Sequence, residues 1–284
     1  MVNNYNAIVD EIIEKALIED LGDGDHTSLS TIPSDAMGEA KLVAKESGII
    51  SGVEVAGKVF KKVDSDIEFV SLKKDGDTIK KGDVIFTVKG RSISLLSAER
   101  LALNLIQRMS GIATQTNSIV NKIKHTNTKL LDTRKTTPNL RVLEKQAVKA
   151  GGGENHRFGL YDMIMIKDNH IDFAGGIVPA ITSCVKYLKE KKKDLKIEIE
   201  VRDFDELNKV LAFGNVDRIM LDNFTPAEIK KALTLIDGKY ETEASGGITS
   251  DTIVGFAETG VDYISVGALT HHIKSLDLSL KATV

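Results

Sequence analysis

From Thr128 onward, short apolar runs alternate with helical segments, and few folds accommodate that order. The runs TKLLDT, DMIMIK, KIEIEV, DRIMLD, YETEAS and DYISV each have strand length, and segments such as DFDELNKVLAFG and TPAEIKKALTLI lie between them. Strands joined by helical crossovers lie parallel in one sheet. A β/α barrel is the most economical closure. About six units are visible, fewer than the roughly eight of a full barrel, so a smaller or partly open barrel is expected. Periodicity by itself also accommodates an open doubly wound sheet.

The first half has a different texture. Between Tyr5 and Asp20 the apolar residues Ile8, Ile12, Ile13 and Leu17 recur at helical spacing, and the acidic loop GDGDHTS ends the segment. Strand-like runs follow, EAKLVAKES, SDIEFVSL and DVIFTVKG, separated by glycine-bearing turns. They form a small α+β layer. DGDTIKKGDVIFTVKG is similar to the hairpins of biotinyl and lipoyl carrier domains, but no lysine occupies the exposed hairpin tip, and the segment reads as an ordinary sheet edge. A long helix is expected from Ser97 toward Lys124, with Leu101, Leu105, Ile112, Ile119 and Ile123 along one face, leading from one domain into the next.

Composition removes several function classes. With 284 residues, 42% of them hydrophobic, the chain has enough apolar surface for one large domain or two modest ones, and it is not a disordered or fibrous polymer. No apolar run approaches the roughly 20 residues that span a bilayer. The first residues, MVNNYNAIVDEIIEK, mix acids with apolar residues instead of presenting a basic segment and an apolar core. A cytoplasmic location is therefore expected, with neither membrane nor nucleic acid as partner, since the net charge is −3. The single cysteine, Cys184, has no intrachain partner, and its helical setting favours packing.

In parallel β/α proteins the active site collects at the carboxyl ends of the strands. Those ends carry Arg134 and Lys135, Lys167, Glu200, Asp222, and Ser245 followed by Gly246 and Gly247. Between Lys129 and His170 there are eight lysines and arginines against five acids. A cationic pocket in an acidic protein suits a highly anionic substrate. Arginine binds carboxylate or phosphate through a planar fork, whereas lysine is a mobile point charge; Arg134 and Arg157 therefore suit carboxylates, and Lys135 and Lys167 suit phosphate or carboxylate. Isolated, each cation would be read as a surface ion pair. Glu200 and Asp222 end successive strands and make a candidate pair for one divalent cation, Mg²⁺ where pyrophosphate oxygens share it; salt bridges to nearby lysines are the plainer reading. The glycines of SGGIT and SVGA allow close backbone approach, and a helix starting just after them would aim N–H groups at a phosphate. AGGGENHRFGLYD turns tightly before Asn155, His156 and Arg157. His156 can orient substrate or exchange a proton, or simply be hydrogen-bonded structurally, the reading given to His26, His125, His271 and His272.

The block DTRKTTPNLRVLEKQAVKAGGGENHRFGLYDMIMIKDNHI resembles the central region of quinolinate phosphoribosyltransferases nearly throughout. AERLALNLIQRMSGIAT, IEIEV, IMLDNF, EASGGIT and ISVGALT extend the resemblance, in the family's order, over most of the chain. It implies an N-terminal α/β sandwich over residues 1–112, with a tail from about residue 273 to 284 packing on it, and a partly open β/α barrel over 113–284. It implies transfer of phosphoribosyl from phosphoribosyl pyrophosphate to quinolinate with decarboxylation, on the route to NAD, in a homodimer or hexamer whose subunits complete each other's sites. By resemblance, Arg134, His156, Arg157 and Lys167 surround the quinolinate carboxylates, and Arg100 comes from the neighbouring subunit. Thr133 and Lys135 share the Arg134 loop, Glu200 and Asp222 lie near ribose and Mg²⁺, and Ser245, Gly246, Gly247, Val266, Gly267 and Ala268 hold phosphate. The implied catalytic set is Lys135, Lys167, Glu200 and Asp222. One departure is Asn139, where the family places glycine after TTP; asparagine tolerates similar turn geometry. Two rivals remain: a relative acting on nicotinate or another heterocyclic acid, and a barrel that binds without catalysis.

Overall fold

The computed structural model describes residues 5–283. The chain divides into two compact units, the first gathering the residues up to Asn117, Thr136–Gly152 and those from Leu269 onward, the second Ser118–Lys135 and Gly153–Ala268.

In the first unit, helices α1 (Tyr5–Leu21) and α2 (His26–Thr31) precede β1 (Met37–Ala44), β2 (Gly48–Ile49), α3 (Val53–Val63), β3 (Glu68–Ser71), β4 (Thr78–Ile79) and β5 (Val84–Arg91). The strand β12 (Leu278–Thr283), close to the end of the chain, pairs antiparallel with β1, giving a sheet of order β12-β1-β5-β3. One face of β1 is apolar, with Ala40, Leu42 and Ala44 buried. Under this sheet Phe60 of α3 meets Phe69 and Phe86, whose ring centroids are 4.6 Å apart. Asp64, which follows α3, is buried and accepts from Arg91 Nε at 2.9 Å and Ser94 Oγ at 2.8 Å. Helix α4 (Ser92–Ile123) starts in this unit and runs into the second. Helix α5 (Arg141–Ala150) is fixed by buried Glu144, which takes Arg108 Nη2 at 2.6 Å and the Thr137 amide at 3.1 Å. Asn139, in the turn before α5, has φ +66°, the left-handed conformation that asparagine reaches more cheaply than most residues.

The second unit holds the six anticipated strands, β6 (Lys129–Leu131), β7 (Ile164–Ile166), β8 (Ile197–Val201), β9 (Arg218–Asp222), β10 (Glu241–Ser245) and β11 (Tyr263–Ser265). They form one parallel sheet of order β6-β11-β10-β9-β8-β7. The outer strands β6 and β7 are not paired to each other; a single bridge from Leu131 to Glu154 lies beside β6. This is the partly open barrel. Helices α6 (Asp168–Ala174), α7 (Ile177–Lys191), α8 (Phe204–Phe213), α9 (Pro226–Ile236) and α10 (Ile253–Ala257) supply the crossovers, and α11 (Ala268–His271) follows β11. Cys184 sits half-buried in α7.

Strand β8 shows how sequence sets the interior. All five residues of IEIEV are buried, and successive side chains point to opposite faces. Ile197, Ile199 and Val201 take one face; Glu198 and Glu200 share the other. On β9 and β10 the corresponding face carries Arg218, Met220 and Asp222, and Glu241, Glu243 and Ser245. Register pairs Glu198 with Arg218, Glu200 with Met220, Met220 with Glu243, and Asp222 with Ser245. The barrel lumen is therefore layered. Glu200, Asp222 and Ser245 lie at or beside the carboxyl ends of their strands, and Glu198 and Glu243, two residues before Glu200 and Ser245 on the same faces of β8 and β10, form the lower layer.

Candidate active site

The upper layer brings together most of the cations and acids expected at strand ends. Lys167 follows β7, caps α6, and hydrogen-bonds through Nζ to Glu200 Oε2. The Glu200 side chain is buried and that of Lys167 is partly open to solvent. Asp222 is half-buried; burial raises its pKa, the negative charge of Asp168 adds to this, and the charges of Lys167 and Lys135 oppose it. Lys167, Lys135, Asp168 and Asp222 thus share one electrostatic neighbourhood. The Lys135 amide donates to Thr133 Oγ1 at 3.0 Å, closing the turn that presents Arg134 and Lys135 after β6.

The loop after β10 is built against β9. The Asn223 amide donates to Ser245 O at 2.9 Å. Gly246 has φ +93°, and a Cβ there would lie 2.3 Å from Asn223 Oδ1 and 2.7 Å from Asn223 N. Only glycine fits. Gly247 has φ +61° and open space around it. Helix α10 starts only at Ile253 and is five residues long, and α11 is four residues long. After SGGIT the free N–H groups are therefore those of loop backbone, a departure from the expected helix start, whereas α11 does begin directly after Gly267. At the neighbouring strand end, the Val266 amide donates to Leu131 O at 3.0 Å, which sets Val266, Gly267 and Ala268 beside β6.

His156 and Arg157 are placed by the segment linking β6 to β7. Buried Asp132 directly follows β6 and accepts from the His156 amide at 2.9 Å and from Asn155 Nδ2 at 2.6 Å. Arg157 N–H donates to His156 Nδ1 at 2.7 Å, and Arg157 Nη1 donates to Met163 O at 3.2 Å. Burial, and after it the charge of Arg134, lowers the Arg157 pKa. Two guanidinium groups that repel one another in a partly buried setting gain from an anion placed between them.

His156 itself is buried in the lower layer, with Nε2 3.1 Å from Glu198 Oε2 and 3.3 Å from Glu243 Oε2. Arg218 Nη1 lies 3.1 Å from Glu243 Oε2, and its guanidinium stacks over Tyr263 at 4.0 Å. Burial disfavours an imidazolium, but the two carboxylates outweigh it and raise the His156 pKa to about 9. Burial and the charge of Glu243 likewise raise Glu198 to about 7, whereas His156, Ser265 and Arg218 outweigh burial at Glu243 and lower it. His156 and Glu198 compete for one proton. The Arg157 amide opposes that pull, because an Nδ1 that accepts a hydrogen bond carries no proton and the ring is then the neutral Nε2–H form. The ring proton sits on Nε2, facing the acids.

Sequence reasoning alone does not select Asp132, Glu198, Arg218 or Glu243. The signal is present: a parallel strand covered on both faces reads as continuously apolar, whereas IEIEV and ETEAS place acids at every second position. Arg100 is exposed on α4, in the first unit. His26 and His125 face acids at the surface, Asp23 at 3.3 Å and Glu258 at 3.2 Å.

A partly open β/α barrel whose strand ends gather lysines and arginines above an acid pair defines an enzyme class that handles strongly anionic small molecules. Comparisons narrow the class. Residues 25–110 match the N-terminal domain of quinolinate phosphoribosyl transferase and residues 112–281 match its C-terminal domain. The chain is 45% identical over 285 residues to the chloroplastic nicotinate-nucleotide pyrophosphorylase (carboxylating) of Arabidopsis thaliana, covering 95% of this chain and 81% of that protein. It is 45% identical over 274 residues to the probable nicotinate-nucleotide pyrophosphorylase (carboxylating) of Bacillus subtilis (strain 168), covering 96% and 93%. The structure of the nicotinate-nucleotide pyrophosphorylase from Francisella tularensis superposes with a TM-score of 0.92 at 42% identity, covering 98% of this chain and 97% of that one. The chain belongs to the quinolinate phosphoribosyltransferase family.

Proposed function

We propose that this chain is the decarboxylating transferase of that family. It joins quinolinate to phosphoribosyl pyrophosphate, giving nicotinate mononucleotide, pyrophosphate and carbon dioxide in NAD biosynthesis. The observation that carries the reading is the paired guanidinium neighbourhood of Arg134 and Arg157 beside a separate lysine and acid cluster. One suits an aromatic dicarboxylate, the other a phosphorylated sugar.

In the reaction, the bond from the ribose anomeric carbon to pyrophosphate loosens, and positive charge develops on the sugar. Glu200 and Asp222 favour that charge, and Lys135 and Lys167 favour the departing phosphates. The pyridine nitrogen attacks the anomeric carbon. The resulting pyridinium accepts the electron pair left when the adjacent carboxylate departs as carbon dioxide, and a proton replaces it on the ring carbon. Arg134, Arg157 and Arg100 of the neighbouring subunit hold the dicarboxylate, and orientation of two substrates is worth several kcal/mol of barrier.

Hard carboxylate oxygens and a half-buried Asp222 destabilised by Asp168 fit a divalent cation. Asp222 and Glu200 would hold Mg²⁺, with Glu200 also retaining Lys167. When bound, Mg²⁺ supplies neutralisation of pyrophosphate charge. Thr133 lines the Arg134 loop, and Ser245, Gly246, Gly247, Val266, Gly267 and Ala268 receive the phosphate. The functional assembly is a homodimer, or a hexamer built from it, in a cytoplasmic setting. Titrating quinolinate and nicotinate in parallel tests the substrate assignment. Quinolinate is expected to bind at least about tenfold more tightly, because its second carboxylate adds charged hydrogen bonds of roughly 1.5–3 kcal/mol; equal affinities would overturn it.

A further inference from the structure

We infer that Glu198 and Glu243 are positioning residues for quinolinate binding, acting through His156 on Arg157. The inference rests on the assignment of Arg157 to the quinolinate carboxylates. An imidazole has two nearly isosteric ring orientations, related by a half-turn about χ2, and only one places Nδ1 against the Arg157 amide. In the structure that orientation is present, with the amide at 2.7 Å from Nδ1 and Nε2 lying 3.1 and 3.3 Å from the Glu198 and Glu243 carboxylates. The flipped ring would present carbon to both sides. Two buried carboxylates would then lose their neighbouring N–H, and the Arg157 amide would lose its acceptor.

The acids are therefore the selectors of the ring's orientation, and the ring sets the backbone from which Arg157 extends. Asp132 holds the other side of the same short segment through the His156 amide, and Met163 O takes Arg157 Nη1. The path from the lower layer to the carboxylate pocket is continuous: Glu198 and Glu243 on β8 and β10, His156, then Arg157. Both acids are fully buried.

The same three ligand atoms lie within 4.8 Å of one another, a spacing that also suits a bound metal ion. Arg218 argues for the ring N–H instead. Its guanidinium, 3.1 Å from Glu243, already places a positive charge beside the two acids.

The test compares Glu198→Gln and Glu243→Gln with the unaltered enzyme. Both keep side-chain shape while replacing a carboxylate by an amide. KM for quinolinate is expected to rise about tenfold or more, with KM for phosphoribosyl pyrophosphate within about threefold, because displacing a substrate-holding group by a fraction of an ångström is felt by that substrate. A merely structural role would lower thermal stability and the active fraction without separating the two KM values, and that result overturns the proposal. If a glutamine variant folds poorly, His156→Asn and His156→Phe make the same distinction. Asparagine places an acceptor near the Nδ1 position and phenylalanine places none, so a larger rise in quinolinate KM for phenylalanine supports the proposal and equal values overturn it. Nitrogen-15 spectra of histidine-labelled protein should show an Nε2–H tautomer at His156 that is lost or mixed in the glutamine variants; an unchanged tautomer overturns the proposal. One equivalent of tightly held transition metal in the unaltered protein, lost in Glu198→Gln, overturns it in favour of a metal site. Absence of quinolinate turnover in the unaltered enzyme would instead count against the functional assignment itself.

Discussion

Replacing Gly246 with alanine isolates the close approach between the β10 loop and Asn223. A left-handed backbone costs alanine roughly 1–2 kcal/mol relative to glycine. Gly260 provides the strain-only control, since it has the same φ of +93° and no atom within 4 Å of an added Cβ. At Gly246 the added Cβ meets Asn223 Oδ1 at 2.3 Å and Asn223 N at 2.7 Å. The side chain can swing aside. The backbone nitrogen cannot, because it is tied to Ser245 O at 2.9 Å. The loop itself must therefore shift, and a shift on the order of 1 Å in a positioning segment costs up to about a hundredfold in rate. Gly260→Ala is expected to lower the thermal midpoint by about 2–6 °C and to leave kcat/KM within about threefold. Gly246→Ala should show at least that loss of stability together with a drop of about 10- to 100-fold in kcat/KM for phosphoribosyl pyrophosphate. Initial rates at varied phosphoribosyl pyrophosphate and saturating quinolinate, with thermal melts on the same samples, provide the comparison. Indistinguishable kcat/KM values in the two variants would refute the reasoning.

Other consequences are equally open to measurement. Arg134→Ala and Lys167→Ala should each reduce turnover by at least about a hundredfold while circular dichroism stays unchanged; near-normal rates in either would remove that residue from the site. Chelation should abolish product formation, and added Mg²⁺ should restore it. Mixing Arg100→Ala with Lys167→Ala after subunit exchange should recover about a quarter of native activity, the share expected for randomly formed dimers with one intact composite site; no recovery despite proven exchange would contradict shared sites. Asp64→Asn should lose about 2–3 kcal/mol, since the buried carboxylate accepts from Arg91, Ser94 and the Asp66 amide. These donors hold its pKa at about 2 against an ordinary 3.8. The native carboxyl is the stronger acid, so its contribution is full above about pH 4 and fades as pH falls through 2. Urea unfolding of both proteins should therefore show a gap at pH 6 that narrows below pH 3, and a constant gap would exclude the ionic explanation.

The barrel strands are readable because parallel strands between helices are short apolar runs ending in a polar residue, as DRIMLD and DMIMIK do. β12 is not readable as a strand. LSLKAT is an edge segment with one apolar face, and only pairing with residues some 240 positions away in β1 makes it regular. β2 and β4 are two residues each and leave no periodic trace. For the site, the strand-end rule reaches Lys167, Glu200 and Asp222 directly, and structure joins Lys167 to Glu200. It misses the layer below, because a buried acid at mid-strand looks like a sheet residue until its neighbours are known. Glu198 acquires meaning from His156, 42 positions earlier and brought beside it by the fold, and from Arg218 on the next strand.

The central claim is tested most directly by supplying the protein with quinolinate, phosphoribosyl pyrophosphate and Mg²⁺ and following nicotinate mononucleotide and carbon dioxide together, with nicotinate as the parallel substrate. Equimolar release of both products from quinolinate, with little turnover of nicotinate, is the expected result. Turnover of nicotinate alone, or no product from either with folded protein, would contradict the claim.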